Sequence, residues 1–257
     1  MGMRPGRYRQ WVRALAAGLA VVALAGCVSS GPRNPMADWV RSKNYDVRRP
    51  VLIVLHYTEQ DSVEQSLHTL RNRNSGGRVS SHYLVGKDGS LYQLVSDEKR
   101  AWHAGAGRWG TITDVNSASI GIEIDNDGKS PYPQAQIETL LKLLDDLCTR
   151  WQIPRSQVIG HSDLAPRRKV DPGPLFPWKQ LADAGFGVWP AADAGDPAPG
   201  FDPWLAMQAI GYDLQDRAAA VRSFHHHFRG MEGVELDAED LRVLWALTRL
   251  PAGDVQP

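Results

Sequence analysis

Apolar and polar positions along the chain follow two periods, and each change of period marks an element. Val51–His56 (VLIVLH) is a continuous apolar run with β-branched residues, which predicts a strand buried on both faces. Ser62-Val63-Glu64-Gln65 has the form of a capping box and predicts a helix to about Asn72, with Val63, Leu67 and Leu70 on one side. Ser81–Gly86 and Leu91–Val95 flank Lys87-Asp88-Gly89-Ser90, and Asp-Gly between two such runs predicts a hairpin. Ala118–Asp125 (ASIGIEID) alternates, so Ile120, Ile122 and Ile124 share one face and Gly121, Glu123 and Asp125 the other. The clearest helix is expected over about Pro133–Trp151. Its proline suits a first turn, and Ile137, Leu140, Leu141, Leu144, Leu147 and Trp151 recur at helical spacing. Val158–His161 predicts a short strand end running into a loop, Ser162–Pro166. Strands alternating with helices predict an α/β fold, a mixed central sheet flanked by helices.

The periodicity lapses around Gly185–Pro203 into Gly, Pro, Ala and Asp, the composition of a linker. Beyond it, three short helices are expected at about Pro203–Ile210, Leu214–Arg229 and Asp237–Leu250, the last with Asp237 as N-cap. Roughly fifty residues in three helices predict a small separate module, near the lower size limit for independent folding.

The amino terminus differs from all of this. Arg4, Arg7, Arg9 and Arg13 precede Ala14–Ala25 (ALAAGLAVVALA), shorter than the ~20 residues that cross a bilayer but of the length found in export signals. Leu24-Ala25-Gly26-Cys27 then resembles the bacterial lipobox, which implies cleavage before Cys27, its diacylation and acylation of the new amino terminus. Several acyl chains suffice for stable anchoring. Val28 rather than Asp follows the cysteine, which under enteric-type sorting implies the outer membrane, facing the periplasm. The alternative is an uncleaved anchor with an incidental Cys27. The expected organisation is thus a signal over 1–26, a tether over 27–39, the α/β domain over 40–185, a linker over 186–202 and the helical module over 203–252.

Charge and composition remove several classes. The chain has 29 basic and 29 acidic residues, and without the signal 25 against 29, a net charge of −4. Neither balance supplies the basic field that nucleic-acid binding needs. With 42% hydrophobic and 23% charged residues, the chain is neither disordered nor collagen-like, nor a bundle of membrane spans. Its two cysteines leave only Cys148 once Cys27 is lipidated, so a disulfide scaffold and a cysteine-rich zinc ribbon are excluded. Cys148 falls in an apolar helical run and reads as a small buried hydrophobe.

Eight histidines remain to be sorted. His56 and His161 stand at the ends of predicted strands, where open α/β sheets place their sites, and Asp171 lies ten residues beyond His161 on a loop that could fold back. Two imidazoles and a carboxylate leave a fourth position for water, as catalytic zinc requires, and a residual positive charge that lowers the water's pKa toward about 7. Spacing alone equally accommodates a core histidine at His56 and a loop cap at Asp171. His68 is expected on a helix surface and His82 as a structural group. His225, His226 and His227 point about 100° apart on a helix, cannot converge on one ion and are expected at the helix surface.

Further information comes from Val51–His56-Tyr57-Thr58, Ser81-His82-Tyr83-Leu84-Val85, Asp88-Gly89, Trp102-His103-Ala104-Gly105, Ser119-Ile120-Gly121-Ile122-Glu123, and Gly160-His161-Ser162-Asp163 with Lys169-Val170-Asp171-Pro172-Gly173. In this order, over about residues 40–185, the segments resemble the zinc-dependent N-acetylmuramoyl-L-alanine amidases of the type-2 amidase and peptidoglycan-recognition fold. The resemblance implies hydrolysis of the amide between N-acetylmuramic acid and L-alanine in peptidoglycan or muropeptides, with one Zn²⁺ per chain. It puts the zinc ligands at His56, His161 and Asp171, the catalytic glutamate at Glu123, the catalytic lysine at Lys169 and a substrate-pocket position at His103.

Glu123 is expected to act as base toward water and acid toward the amine, and Lys169 to stabilise the oxyanion. Trp109, in the Gly-rich stretch Gly105–Gly110, is expected as a pocket-wall aromatic on a mobile loop. The C-terminal stretch, with Trp204, Tyr212 and Phe224, resembles the three-helix peptidoglycan-binding domain but carries His225 where that family usually has Gln. Two competing expectations are a non-catalytic peptidoglycan-binding lipoprotein, which in this fold commonly lacks a ligand, and a cytosolic recycling amidase, which the lipobox opposes. The expected partners are peptidoglycan or muropeptides and, through the lipid anchor, a membrane.

Overall fold

The alternation of isoleucines forecasts where the sheet buries its first face. The computed structural model describes residues 33–47, 50–74, 77–192 and 195–250; the segment expected to be an export signal, and Cys27, lie outside the described residues. Six strands, β1 (Asp38–Trp39), β2 (Leu52–Tyr57), β3 (Tyr83–Val85), β4 (Leu91–Gln93), β5 (Ser119–Ile124) and β6 (Val158–Gly160), form one sheet in the order β1-β4-β3-β5-β2-β6. All neighbours run parallel except the β3–β4 hairpin. Two short ladders, Asp46–Val47 with Lys99–Arg100 and Arg73–Asn74 with Gly77–Arg78, stand apart from it.

Helices α1 (Val63–Arg71), α2 (Val115–Ala118) and α3 (Gln134–Trp151) lie between strands, and α4 (His161–Leu164), α5 (Trp178–Asp183), α6 (Pro203–Ile210), α7 (Arg217–Phe228) and α8 (Ala238–Leu247) follow the last strand. Ser62 caps α1 by accepting from the Gln65 N–H, and Asp237 caps α8 in a reciprocal box with Asp240. Pro133 stands one residue before α3, at its N-cap. Ile53, Leu55, Ile120, Ile122 and Ile124 bury one sheet face against Ile137, Leu140, Leu144 and Leu147 of α3, with Cys148 in the same core. The hairpin turn abuts this helix. Gly89 has φ +84°, and a Cβ there would lie 2.9 Å from the Ala135 carbonyl oxygen.

The second face settles the fate of the C-terminal helices. Leu52, Val54 and Ile159 form one apolar cluster with Met207, Ile210, Val221, Phe224, Leu244 and Leu247. The expected separate module therefore shares its core with the α/β part. The physical reason is mutual need: about fifty residues in three short helices bury only a marginal core by themselves, and a largely parallel sheet must be covered on both faces. No helix among the described residues is long and apolar enough to cross a membrane.

The expectation for the three consecutive histidines is corrected in part. His225, His226 and His227 are buried, not on the surface. They do diverge as the helical angle requires: His225 Nε2 meets Asp240 Oδ2 at 2.8 Å, His226 Nε2 meets Glu232 Oε1 at 2.9 Å, and His227 Nδ1 meets Asp163 Oδ2 at 2.8 Å. α7 is covered along this stretch, so each imidazole meets its own carboxylate through one ring nitrogen, while His225 Nδ1 and His227 Nε2 are buried without a hydrogen-bond partner.

Candidate metal centre and active site

The site forms at the carboxyl ends of the parallel strands, where an open α/β sheet leaves a crevice. His56, near the end of β2, is in register with Glu123 on β5. Both project from the face opposite the isoleucines. His161 opens α4 directly after β6, so the predicted loop begins as one helical turn. The chain then folds back, and the Ser162 N–H donates to the Asp171 carbonyl at 2.9 Å.

Three buried side chains converge. His56 Nδ1 lies 2.9 Å from His161 Nδ1 and 3.1 Å from Asp171 Oδ2, while His161 Nδ1 lies 3.0 Å from the same oxygen. The far ring nitrogens say which atoms carry protons. Ser119 Oγ donates to the Val115 carbonyl at 2.6 Å, so it must accept from His103 Nε2 at 3.2 Å. His103 Nδ1 then accepts from His56 Nε2 at 3.0 Å. His161 Nε2 donates to the Ala104 carbonyl at 2.9 Å.

In the neutral rings, both Nδ1 atoms are therefore bare lone pairs, aimed at each other and at a carboxylate oxygen. Lone pairs brought this close repel unless a cation lies among them. The donor set and its spacing fit a divalent cation, since ligands about 2.0–2.1 Å from zinc stand roughly 3.3 Å apart in a tetrahedron. His56, His161 and Asp171 are also the one group of this kind among the described residues.

Burial, then the neighbouring His161, drives His56 down to about 4, so its ring is neutral. Burial would raise Asp171, but His161 and His56 outweigh it and hold the carboxyl well below the usual range. Glu123 moves the other way: burial first, then the Asp171 charge, raises it to about 8 against the opposing pull of Lys169. Its Oε2 is buried without a hydrogen-bond partner.

A cavity of about 300 Å³ opens over these groups, with Tyr57, Trp102, His103, Glu123 and Lys169 in its wall. Within the run Arg167-Arg168-Lys169, the two arginines are exposed and Lys169 is half-buried, turned toward the cavity. His103 both lines the cavity and orients His56. His82, buried, accepts from the Gly121 N–H at 3.0 Å and has Nε2 2.9 Å from the Lys99 carbonyl, a structural role as expected. His68 is exposed on α1.

Trp109 is the correction. It is only 5% exposed and absent from the cavity wall, set edge-on to Tyr212 with centroids 5.3 Å apart. Its stretch is pinned: Trp109 and Ile112 exchange two backbone hydrogen bonds, and the Gly110 N–H donates to the Gly211 carbonyl. Gly211 makes room for the indole, because a Cβ there would lie 2.7 Å from Trp109 Cε2. A large apolar ring beside the second sheet face is worth more buried under the C-terminal helices than exposed. Ser119, Arg168 and Trp102 also belong to the site, with little in the local sequence to mark them. Only the Trp102-His103 pairing pointed to the last; nothing local marks Ser119 as an acceptor, or Arg168 as a donor to the Ala104 and Ala106 carbonyls.

Known proteins resemble this arrangement over its whole extent. Residues 46–174 match the family described as N-acetylmuramoyl-L-alanine amidase. The amidase AmiD of Escherichia coli is 36% identical, the alignment covering 89% of this chain and 94% of that protein. A structure of E. coli AmiD in complex with the substrate anhydro-N-acetylmuramic acid-L-Ala-D-gamma-Glu-L-Lys superposes with a TM-score of 0.69 at 33% identity, covering 86% of this chain and 93% of that one. AmpDH3 of Pseudomonas aeruginosa in complex with anhydromuramic pentapeptide gives 0.68 at 31%, covering 86% and 96%. Matches that run through the sheet, the histidine–aspartate cluster and the C-terminal helices alike leave one assignment: the chain belongs to the N-acetylmuramoyl-L-alanine amidase family, as an enzyme of that class.

Proposed function

We propose that this chain uses one Zn²⁺, held by His56, His161 and Asp171, to hydrolyse the amide between N-acetylmuramic acid, ordinary or 1,6-anhydro, and L-alanine in peptidoglycan or muropeptides. The observation that carries this reading is the convergence of two imidazole lone pairs and one carboxylate beside a protonatable Glu123. When bound, the ion would supply a water acidic enough to attack near neutral pH and a charge to polarise the carbonyl. Glu123, in the cavity wall beside these three groups, is placed to take a proton from that water and to return one to the departing amine. The Lys169 ammonium puts positive charge beside the oxyanion that develops on the carbonyl. His103 and the Ala104 carbonyl keep both ligand rings in the tautomer that presents Nδ1. The intact ligand set opposes the non-catalytic alternative.

The test is incubation of purified protein with anhydro- and ordinary muramyl tripeptides, reading the new alanine amino terminus by mass spectrometry. Cleavage is expected to stop after chelation and to return with Zn²⁺. Cleavage indifferent to chelation, or at another bond, would overturn the reading.

Anchoring is a separate proposal, supported by Leu24-Ala25-Gly26-Cys27 and Val28. We infer a lipoprotein acylated on Cys27, in the outer membrane and facing the periplasm, where peptidoglycan turnover supplies substrate. Cys27→Ala is expected to move the protein from the membrane to the soluble fraction of an expressing Gram-negative cell. Unchanged fractionation would refute the anchor.

A further inference from the structure

Arg222, Ser223, His226 and His227 stand at positions i, i+1, i+4 and i+5 of α7, one stripe of the helix. That stripe faces the segment from Gly160 to Asp171, which carries His161, Lys169 and Asp171. Arg222 donates to the Pro166 carbonyl at 2.8 Å, and His226 Nδ1 lies 3.4 Å from the Val170 carbonyl. The centre of the contact is Asp163, which has no exposed surface. Its Oδ1 accepts from Tyr212 Oη at 2.9 Å and Ser223 Oγ at 3.0 Å; its Oδ2 meets His227 Nδ1 and the Gly160 N–H, each at 2.8 Å. Trp178 of α5 stacks on the His227 ring, with centroids 3.8 Å apart and planes 10° from parallel.

α4 is a single turn of four residues, too short to hold its own direction. Its first residue is His161, and its third is Asp163. The Ala104 carbonyl fixes one end of the His161 ring, but the backbone turn that carries the ring is held through Asp163, and three of the four donors to Asp163 come from the C-terminal helical region. A domain serving only to bind wall would need no such contact.

We propose that the C-terminal helices are part of the metal centre, with Asp163 as the positioning residue through which Tyr212, Ser223 and His227 aim His161. This rests on the metal-centre reading above but not on the identity of the substrate. Positioning groups behind a metal ligand typically change affinity or activity 10–100-fold.

The experiment uses the full chain. Zinc affinity is measured by competition with a chromophoric chelator at 25 °C, folding by circular dichroism, and kcat and KM on a muropeptide. Asp163→Asn is expected to weaken zinc binding roughly 10–100-fold and to lower kcat, with KM little changed. Tyr212→Phe and Ser223→Ala, each removing one donor, are expected to weaken zinc binding several-fold, and the double variant more. Should Asp163→Asn fail to fold, the double variant decides. A folded double variant with unaltered zinc affinity and kcat, even at a lower melting temperature, would overturn the proposal, because a purely structural contact moves only stability. A wild-type chain that binds zinc tightly yet cuts no muropeptide would refute the proposed reaction and leave this inference standing.

Discussion

Glu123→Gln is expected to lower kcat by about 10²–10⁴-fold, the usual contribution of a positioned acid–base group, while zinc affinity stays close to wild type. The amide has nearly the shape of the carboxyl but can neither take a proton from water nor return one to the amine. The same substitution should stabilise the metal-free protein at alkaline pH. Burial raises Glu123 to about 8 in the folded state from its ordinary 4.5, so folding favours the protonated form. The stability this contributes is complete below about 4.5 and lost as pH rises through about 8. Metal-free wild type should therefore lose stability across that window relative to the variant, which carries no charge there. At pH 8 and above the variant should be more stable by a few kcal/mol, at about 1.4 kcal/mol for each unit of pKa displacement. Urea denaturation with chelator present, run from pH 4.5 to 8.5, measures the difference. Parallel stability curves for the two proteins would show that Glu123 is not held in this environment.

Asp171→Ala is expected to reduce hydrolysis to background and to weaken zinc binding by more than the 10–100-fold typical of groups behind a ligand. The substitution removes one of the three proposed ligands and the only carboxylate among them, leaving two imidazoles. A ligand that binds the native state stabilises it by about 2.7 kcal/mol at one hundred times its dissociation constant. Wild type should thus melt at higher temperature with added Zn²⁺, and Asp171→Ala should show no such displacement. A zinc-dependent rise preserved in the variant would place the ion elsewhere. The two variants separate by this readout: Glu123→Gln loses chemistry and keeps the metal response, whereas Asp171→Ala loses both.

Much of the frame is legible locally. The alternation of Ile120, Ile122 and Ile124 identifies a strand and, by elimination, turns Glu123 to the other face; both follow from the two-residue repeat of extended backbone. Ser62 and Asp237 mark helix starts because a capping side chain needs only the amide two or three residues on. Cys148 falls in the core for the same reason that the leucines around it do. His56 and His161 are placed at strand ends by pattern alone. Their meeting with Asp171 follows from family resemblance alone, because nothing in the spacing brings residues 56 and 171 together.

Trp109 and the three consecutive histidines show where local pattern misleads. An aromatic in a Gly-rich stretch has the same sequence whether it lines an open pocket or lies beneath Gly211. A polar triplet on a helix has the same sequence whether water or protein carboxylates meet it. His227 finds Asp163, 64 residues away, while His225 finds Asp240 at a separation of 15. The chain by itself thus determined its strands, its helix starts and the faces they bury, because those depend on groups a few bonds apart. Only the tertiary structure decided that the C-terminal helices share the core, that Ser119 and His103 orient His56, and that Asp163 is gripped from α7. Those outcomes depend on which distant polar groups packing brings within hydrogen-bonding reach, and a one-dimensional period carries no record of that.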